Sequence, residues 1–417
     1  MSTPQKKKGR SLNSSYQAGT ILKDYWEDAA RHRAEGRPIA WVSGNVPIEL
    51  FWAMGVYPVY PENYSAVCAS IQRSLEFCEV AEQKGYSIDL CSYSRINLGI
   101  VLGKGIDDPG LPFGGIPRPD MLVTTRIPCL IQVKWWEAVR EFFQVPLFVV
   151  DATMIDLPVR EDQRQHYLGQ IRELIPMMES KLGVRFHEDR FLEALKLSDE
   201  AAALWLELLD LRASVPTPVG SREMCGNVFP LVSMLGSPRP IPFFRSLLEE
   251  ARECVKAKKG AVENERIRLG WDNIPMWYNL QFFSGVEDQN VVFTYETYLR
   301  YVWGGRMDLN DPWTAFANKH LDVWLNYSID QRIRTLLEDI PKFKLDGFVW
   351  HQNHSCKRFA MGQKDAAEAI QDKLGVPSLF IDSDMADPRA YSEAQSRVKM
   401  EAFLELLEAK KSVLRGH

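Results

Sequence analysis

The feature that most constrains this chain is a pattern that occurs twice. In the first copy the strand-like run Met121-Leu122-Val123-Thr124-Thr125 breaks at Arg126-Ile127-Pro128-Cys129. A helical stretch, LIQVKWWEAVREFF, follows, and VPLFVVD closes the unit at 145–151. In the second copy GFVW runs into HQNHSC, which ends at Cys356. The helical KRFAMGQKDAAEAIQDKLG comes next, and VPSLFID closes the unit at 376–382. Strand, cysteine-bearing loop, helix and apolar strand make a βαβ step, whose strands are parallel because the crossover returns the chain to the same end of the sheet. The closing runs are nearly all apolar, as expected of parallel strands covered on both faces. We read the repeat as a weak internal duplication.

The chain has 417 residues, too many for one ordinary core. Four segments are expected: an N-terminal helical extension (1–36), an α/β unit carrying Cys91 and Cys129 (37–158), a helical domain (159–262), and a second α/β unit carrying Cys356 (263–417). The predicted fold class is α/β, with two flavodoxin- or Rossmann-like parallel-sheet units and a helical insert. The spacing predicts one helix over 66–84, holding both Cys68 and Cys78. YPVYPENYS reads as an extended link.

The net charge of −5 argues against a nucleic-acid partner, which requires a broad basic face. No run of about 18 apolar residues occurs, so no membrane span is expected. The basic start has no apolar segment behind it and does not read as a secretory signal. A cytoplasmic location is expected. There the seven cysteines should not build a disulfide frame, so they are buried thiols or ligands.

Cys129 and Cys356 each follow a strand, and Cys91 precedes a helix. Ligands of open parallel sheets bind beyond the carboxyl ends of strands. Helix N-termini there favour a thiolate. Three thiolates from three loops could meet at one inorganic centre, one short of the four that saturate a cubane cluster. No C-x-x-C pair is present, so neither a zinc ribbon nor a ferredoxin motif is supported. On spacing alone, three ordinary buried thiols remain an open reading.

Five stretches change that balance: WVSGNVPIELFWAMGVYPVYPE (41–62), DLCSYSRINLG (89–99), PDMLVTTRIPCLIQVKWWE (119–137), DGFVWHQNHSCKRFAMGQ (346–363) and the segment from VPSLFIDSDMADPRAY onward (376–407). In this order they resemble the catalytic subunits of the benzoyl-CoA reductase / 2-hydroxyacyl-CoA dehydratase family. They are most similar to the larger catalytic subunit of the ATP-dependent benzoyl-CoA reductases. The resemblance implies a [4Fe-4S] cluster on Cys91, Cys129 and Cys356, with a double-cubane [8Fe-9S] cluster as the alternative. It implies low-potential one-electron reduction of an aromatic acyl-CoA, with a related second subunit and a separate ATP-hydrolysing iron–sulfur activator as partners. Radical dehydration of a 2-hydroxyacyl-CoA, small-molecule reduction on a double cubane, and a non-catalytic relay subunit are the alternatives. The chain has no G-x-x-x-x-G-K-[ST] loop, which agrees with ATP being used elsewhere.

The remaining candidates rest on local context. Glu49, at a helix start beside the Ser43-Gly44-Asn45 loop, is a candidate acid/base group. Ser43 and Asn45 are candidate donors to the thioester oxygen. His351 and His354 flank the Cys356 loop, with His351 as a candidate proton donor. Arg95, Lys134, Lys357 and Arg358 are candidates for offsetting cluster charge or holding CoA phosphates. Trp135, Trp136, Trp271, Trp277 and Trp350 could frame an aromatic substrate.

Overall fold

The computed structural model describes residues 11–127, 129–303 and 305–415. Two four-stranded sheets, every strand pair parallel, form the frame. The first contains β1 (Ile39–Val42), β2 (Tyr57–Val59), β3 (Met121–Thr125) and β4 (Leu147–Val150), in the order β2-β1-β3-β4. The second contains β5 (Ile267–Asp272), β6 (Val291–Glu296), β7 (Gly347–Asn353) and β8 (Ser378–Ser383), in the order β6-β5-β7-β8. The two orders are the same. In each sheet the chain reverses direction across the first and third strands, which makes a topological switch point there. At those ends lie the loop 43–45 after β1, Cys129 after β3, and Cys356 after β7.

The inner strands β1, β3 and β5 are buried at every residue, and so is β6 at the edge of the second sheet. The closing strands differ. β4 and β8 are outermost in their sheets, and Leu147, Phe148, Val149, Leu379 and Phe380 are only half-buried. Their apolar composition therefore does not mark strands covered on all sides.

The link read from YPVYPENYS contains β2, at the opposite edge of the first sheet. Edge strands tolerate proline because one side of the strand donates no ladder bond, and Pro58 sits here. The predicted helix over 66–84 is two helices, Pro61–Ser70 and Ser74–Gln83. The break comes at Gln72, which adopts φ +63°, while the Arg73 N–H turns back to Cys68 O at 2.8 Å. Cys68 and Cys78 thus lie on different helices, both buried. Among the described residues no helix is long and apolar enough to cross a membrane.

Helix Ser92–Leu102 is almost wholly buried, and it crosses helix Ser74–Gln83 very closely. Gly99 is what allows the crossing. A Cβ there would strike the carbonyl oxygen of Phe77. Gly99→Ala is expected to destabilise the fold by about 1–3 kcal/mol, because the backbone it would push against cannot move aside. A denaturant titration should show a lower midpoint with an unchanged slope.

Candidate active site around three cysteines

Cys91, Cys129 and Cys356 are each the residue that caps a helix N-terminus: Ser92–Leu102, Leu130–Phe143 and Lys357–Ala360 respectively. The three loops are far apart in sequence and reach one cavity of about 80 Å3. Glu62, Gln132, Trp135, Tyr298, Trp303 and Arg358 also line it.

The loops are tied to each other. The Ser92 N–H donates to Ser355 Oγ at 3.1 Å, which joins the Cys91 and Cys356 loops. Ser355 Oγ also bonds the Asp384 carboxylate. Behind Cys91, Arg95 donates to Leu90 O at 3.1 Å, Glu82 at 2.7 Å and Asp387 at 2.8 Å. These bonds use Arg95 for holding the loop, so it is not free for phosphates. Lys134 pairs with Glu137 and Lys357 donates to His354 O, both at the exposed surface.

All three thiols are raised above the ordinary cysteine range, Cys356 to about 12. Burial is the largest cause for each. For Cys91 the Cys129 and Cys356 sulfurs add to it, and for Cys356 the Cys129 sulfur does. Backbone N–H groups at the helix starts oppose the shift and are outweighed. The lowering expected from helix N-termini is present in direction, and burial outweighs it.

That mutual influence places the sulfurs close together. Among the described residues no group of three His, Cys, Asp or Glu side chains could hold a metal ion. A cubane binds each cysteine through a different iron. An all-sulfur donor set facing helix N-termini fits such a cluster and does not fit a hard cation.

The family model for 2-hydroxyglutaryl-CoA dehydratase, D-component, matches residues 44–407. The chain belongs to this family. The (R)-2-hydroxyisocaproyl-CoA dehydratase alpha subunit of Clostridioides difficile is 29% identical over 405 residues, covering 95% of this chain and 96% of that one. The alpha subunit of lactoyl-CoA dehydratase from Anaerotignum propionicum is 27% identical over 92% of this chain and 94% of its own. A benzoyl-CoA reductase subunit of Thauera aromatica is 27% identical over 80% of each chain.

Within this dehydratase-family chain, Glu62 is the residue that sequence reasoning missed. Its carboxylate lines the cavity and accepts the Gly44 N–H at 2.5 Å and the Gln132 amide. Burial lifts it to about 7 against those two bonds. No cation is among the causes of its shift. A carboxyl poised at neutrality in a cavity is a candidate proton-transfer group. Its signal was local and hidden: Pro61-Glu62 starts a helix just after β2, the strand that Pro58 disguised.

Glu49 is placed elsewhere. It is fully buried, pairs with Lys319, accepts Ser198 Oγ–H at 2.6 Å and lies 3.0 Å from His320 Nε2. Burial alone would raise it, but the Lys319 and His320 charges and bonds hold it well below the ordinary carboxylate range. It is an ionised tie between three segments and does not line the cavity. Gly236, at φ +89°, makes room for it, since a Cβ there would lie 2.9 Å from Glu49 Cα.

His351 is also fully buried and outside the lining. Its Nδ1 meets Ile274 O at 2.7 Å, and burial lowers it to about 4, so it is neutral near pH 7. Its Nδ1–H is donated to the carbonyl of the wall residue Ile274. Ser43 accepts from Thr124 Oγ1 at 3.0 Å and the Thr125 N–H at 3.3 Å, fastening β1 to β3. Of the loop residues, Gly44 and Asn45 reach the cavity. Of the five tryptophans singled out, only Trp135 lines it.

Lys319→Met leaves Glu49 buried without its ion-pair partner and is expected to cost about 3–5 kcal/mol. Adding Glu49→Gln should recover much of that loss in a denaturant titration. Because the folded carboxyl titrates below its unfolded value, the pair's contribution is present above about pH 4.5 and is lost as the solution becomes strongly acidic.

Proposed function

We propose that this chain is the cluster-bearing catalytic subunit of an enzyme acting on a CoA thioester, and that the reaction is dehydration of a 2-hydroxyacyl-CoA. The observation that carries the reading is the convergence of Cys91, Cys129, Cys356 and Glu62 on one cavity. Dehydration is favoured over ring reduction by coverage. Two dehydratase alpha subunits align with 92–95% of the chain, against 80% for the reductase subunit. Reduction of an aromatic acyl-CoA is the second reading, supported by Tyr93, Trp135, Tyr298, Trp303 and Phe359 in the lining.

Cys91, Cys129 and Cys356 would hold a [4Fe-4S] cluster. Bound there, it supplies single electrons at low potential. Cys68, Cys78, Cys225 and Cys254 are all buried and none lines the cavity, which supports four irons over the eight of a double cubane. The presence of Glu62 beside the cysteines supports a catalytic role over a relay. A hydroxyl leaves a carbon readily only as water, so a proton must reach its oxygen. Glu62 holds that proton near neutral pH, and the Gly44 N–H fixes Oε2 so that the carboxyl presents one geometry. The relatives are named as single subunits of their enzymes, which supports a second, related subunit here, and an ATP-hydrolysing activator would deliver the electrons. The assembly belongs in the reducing cytoplasm.

Iron and acid-labile sulfide should be about four each per chain after anaerobic purification. They should be lost or sharply reduced when Cys91, Cys129 or Cys356 is changed to Ser. About eight irons would favour the double cubane, and none in any preparation would sink the assignment.

The proton-donor role gives a pH test. With Glu62 raised to about 7, kcat/KM for the 2-hydroxyacyl-CoA should be high below pH 7 and fall as pH rises through it. In Glu62→Gln the rate should drop by about 10²–10⁴-fold and that inflection should vanish. An inflection that survives the substitution would remove Glu62 from the reaction.

A further inference from the structure

Four of the buried side-chain atoms without a hydrogen-bond partner belong to the wall of the cysteine cavity: Asn63 Nδ2, Gln132 Oε1, Trp303 Nε1 and Arg358 Nη2. An unsatisfied buried polar group costs about 1–3 kcal/mol, so such a cluster in one place points to a missing partner. Three of the four are donors. The partner is therefore rich in acceptor atoms.

Two other polar groups in the lining, on Trp135 and Tyr93, are already used. Trp135 Nε1 donates to Asn97 Oδ1 at 2.8 Å, and the Tyr93 hydroxyl is bonded by Trp277. Arg358 donates to Leu325 O at 2.6 Å through Nε, and its charge acts on Cys129 and Cys356. That puts its guanidinium on the sulfur side of the cavity.

Asn63 and Trp303 line the same cavity as Glu62. Asn63 is the next residue along from Glu62 in the helix Pro61–Ser70. A Cβ added at Gly44 would be 3.5 Å from Glu62 Oε2 and 3.8 Å from the Trp303 ring. Those ring atoms are Cη2 and Cζ3, so the carboxylate and the six-membered edge of the indole meet at the space that glycine leaves open. Tyr298 braces the indole edge-on, with centroids 5.5 Å apart.

We propose that the Asn63 amide and the Trp303 indole N–H bind the thioester oxygen of the acyl group and stabilise the negative charge that develops there. This rests on the reading of the cavity as an acyl-CoA site. Donors fixed before the substrate arrives need no reorganisation when charge appears, and in a dry cavity each is worth more than in water. Neither residue exchanges a proton. Their role is to place the carbonyl while Glu62 deals with the hydroxyl.

The test compares two ligands that differ by one oxygen. Isocaproyl-CoA has the thioester carbonyl, and its thioether analogue, S-(4-methylpentyl)-CoA, has a CH2 in its place. Binding is measured by calorimetry on the anaerobically purified holoenzyme. Wild type should prefer the thioester by about tenfold or more, as expected for two hydrogen bonds. Trp303→Phe and Asn63→Leu should each shrink the preference severalfold, and the double variant should nearly abolish it. Asn63→His, which keeps an N–H donor, should retain part of it. Iron content and the unfolding midpoint report whether each variant is intact, and a merely structural role would not change the ligand ratio. An unchanged ratio in the intact double variant would overturn the proposal. Wild type that binds both ligands equally would also overturn it. Wild type that binds neither would instead overturn the acyl-CoA reading on which it rests.

Discussion

The site depends on one polar contact between chain segments more than 260 residues apart. Ser92, just after Cys91, gives its N–H to Ser355 Oγ, just before Cys356, and Ser355 is bonded in turn to Asp384. All three are buried. Away from water such a network is strong only while every member is paired, so it fixes one relative position of the two loops. Arg95 extends the tie from the Cys91 side to Asp387, three residues beyond Asp384. The sulfurs meet because the loops that carry them are fastened to each other.

Burial sets the chemistry of the thiols and of the two carboxylates near them. Desolvation penalises a charge whatever its residue type, and neighbours decide whether the penalty stands. At the cysteines the helix-start N–H groups and the Arg332 and Arg358 charges are outweighed by burial, so the thiols stay above their ordinary range. Glu49 and Glu62 show the two outcomes for one residue type. Lys319 and His320 overcome the penalty at Glu49 and keep it ionised. Neutral donors from Gly44 and Gln132 do not overcome it at Glu62, which is left near 7. One residue type is thus pushed in opposite directions by its two environments.

This also explains what the sequence could disclose. Strand, loop and cysteine were legible at Cys129 and Cys356, because a β run, a break and a helical period are local signals. The five matching stretches carried the family assignment. Glu49 and Glu62 look alike in sequence: each sits in the first turn of a helix after a strand end. What distinguishes them lies about 270 residues away at Lys319 and His320, which no local pattern could connect to Glu49. His351 misled for the same reason. A loop-flanking histidine reads as available, and only the packing of the second sheet shows it buried against Ile274. The helix break at Gln72 was missed because one left-handed residue leaves no trace in apolar periodicity.

The shared strand order of the two sheets gives the site its division of labour. Cys129 and Cys356 occupy equivalent places, each after the third strand of its sheet. The chain after the second strand is where the halves diverge. After β2 it supplies Glu62, Asn63 and then Cys91. After β6 the corresponding stretch supplies Tyr298 and Trp303. The first half lines the cavity with Glu62, Cys91 and Cys129 beside Tyr93 and Trp135, and the second with Cys356 and Arg358 beside Tyr298 and Trp303. Equivalent strand ends thus carry the matching cysteines, and the unlike connections after β2 and β6 supply what the halves do not share.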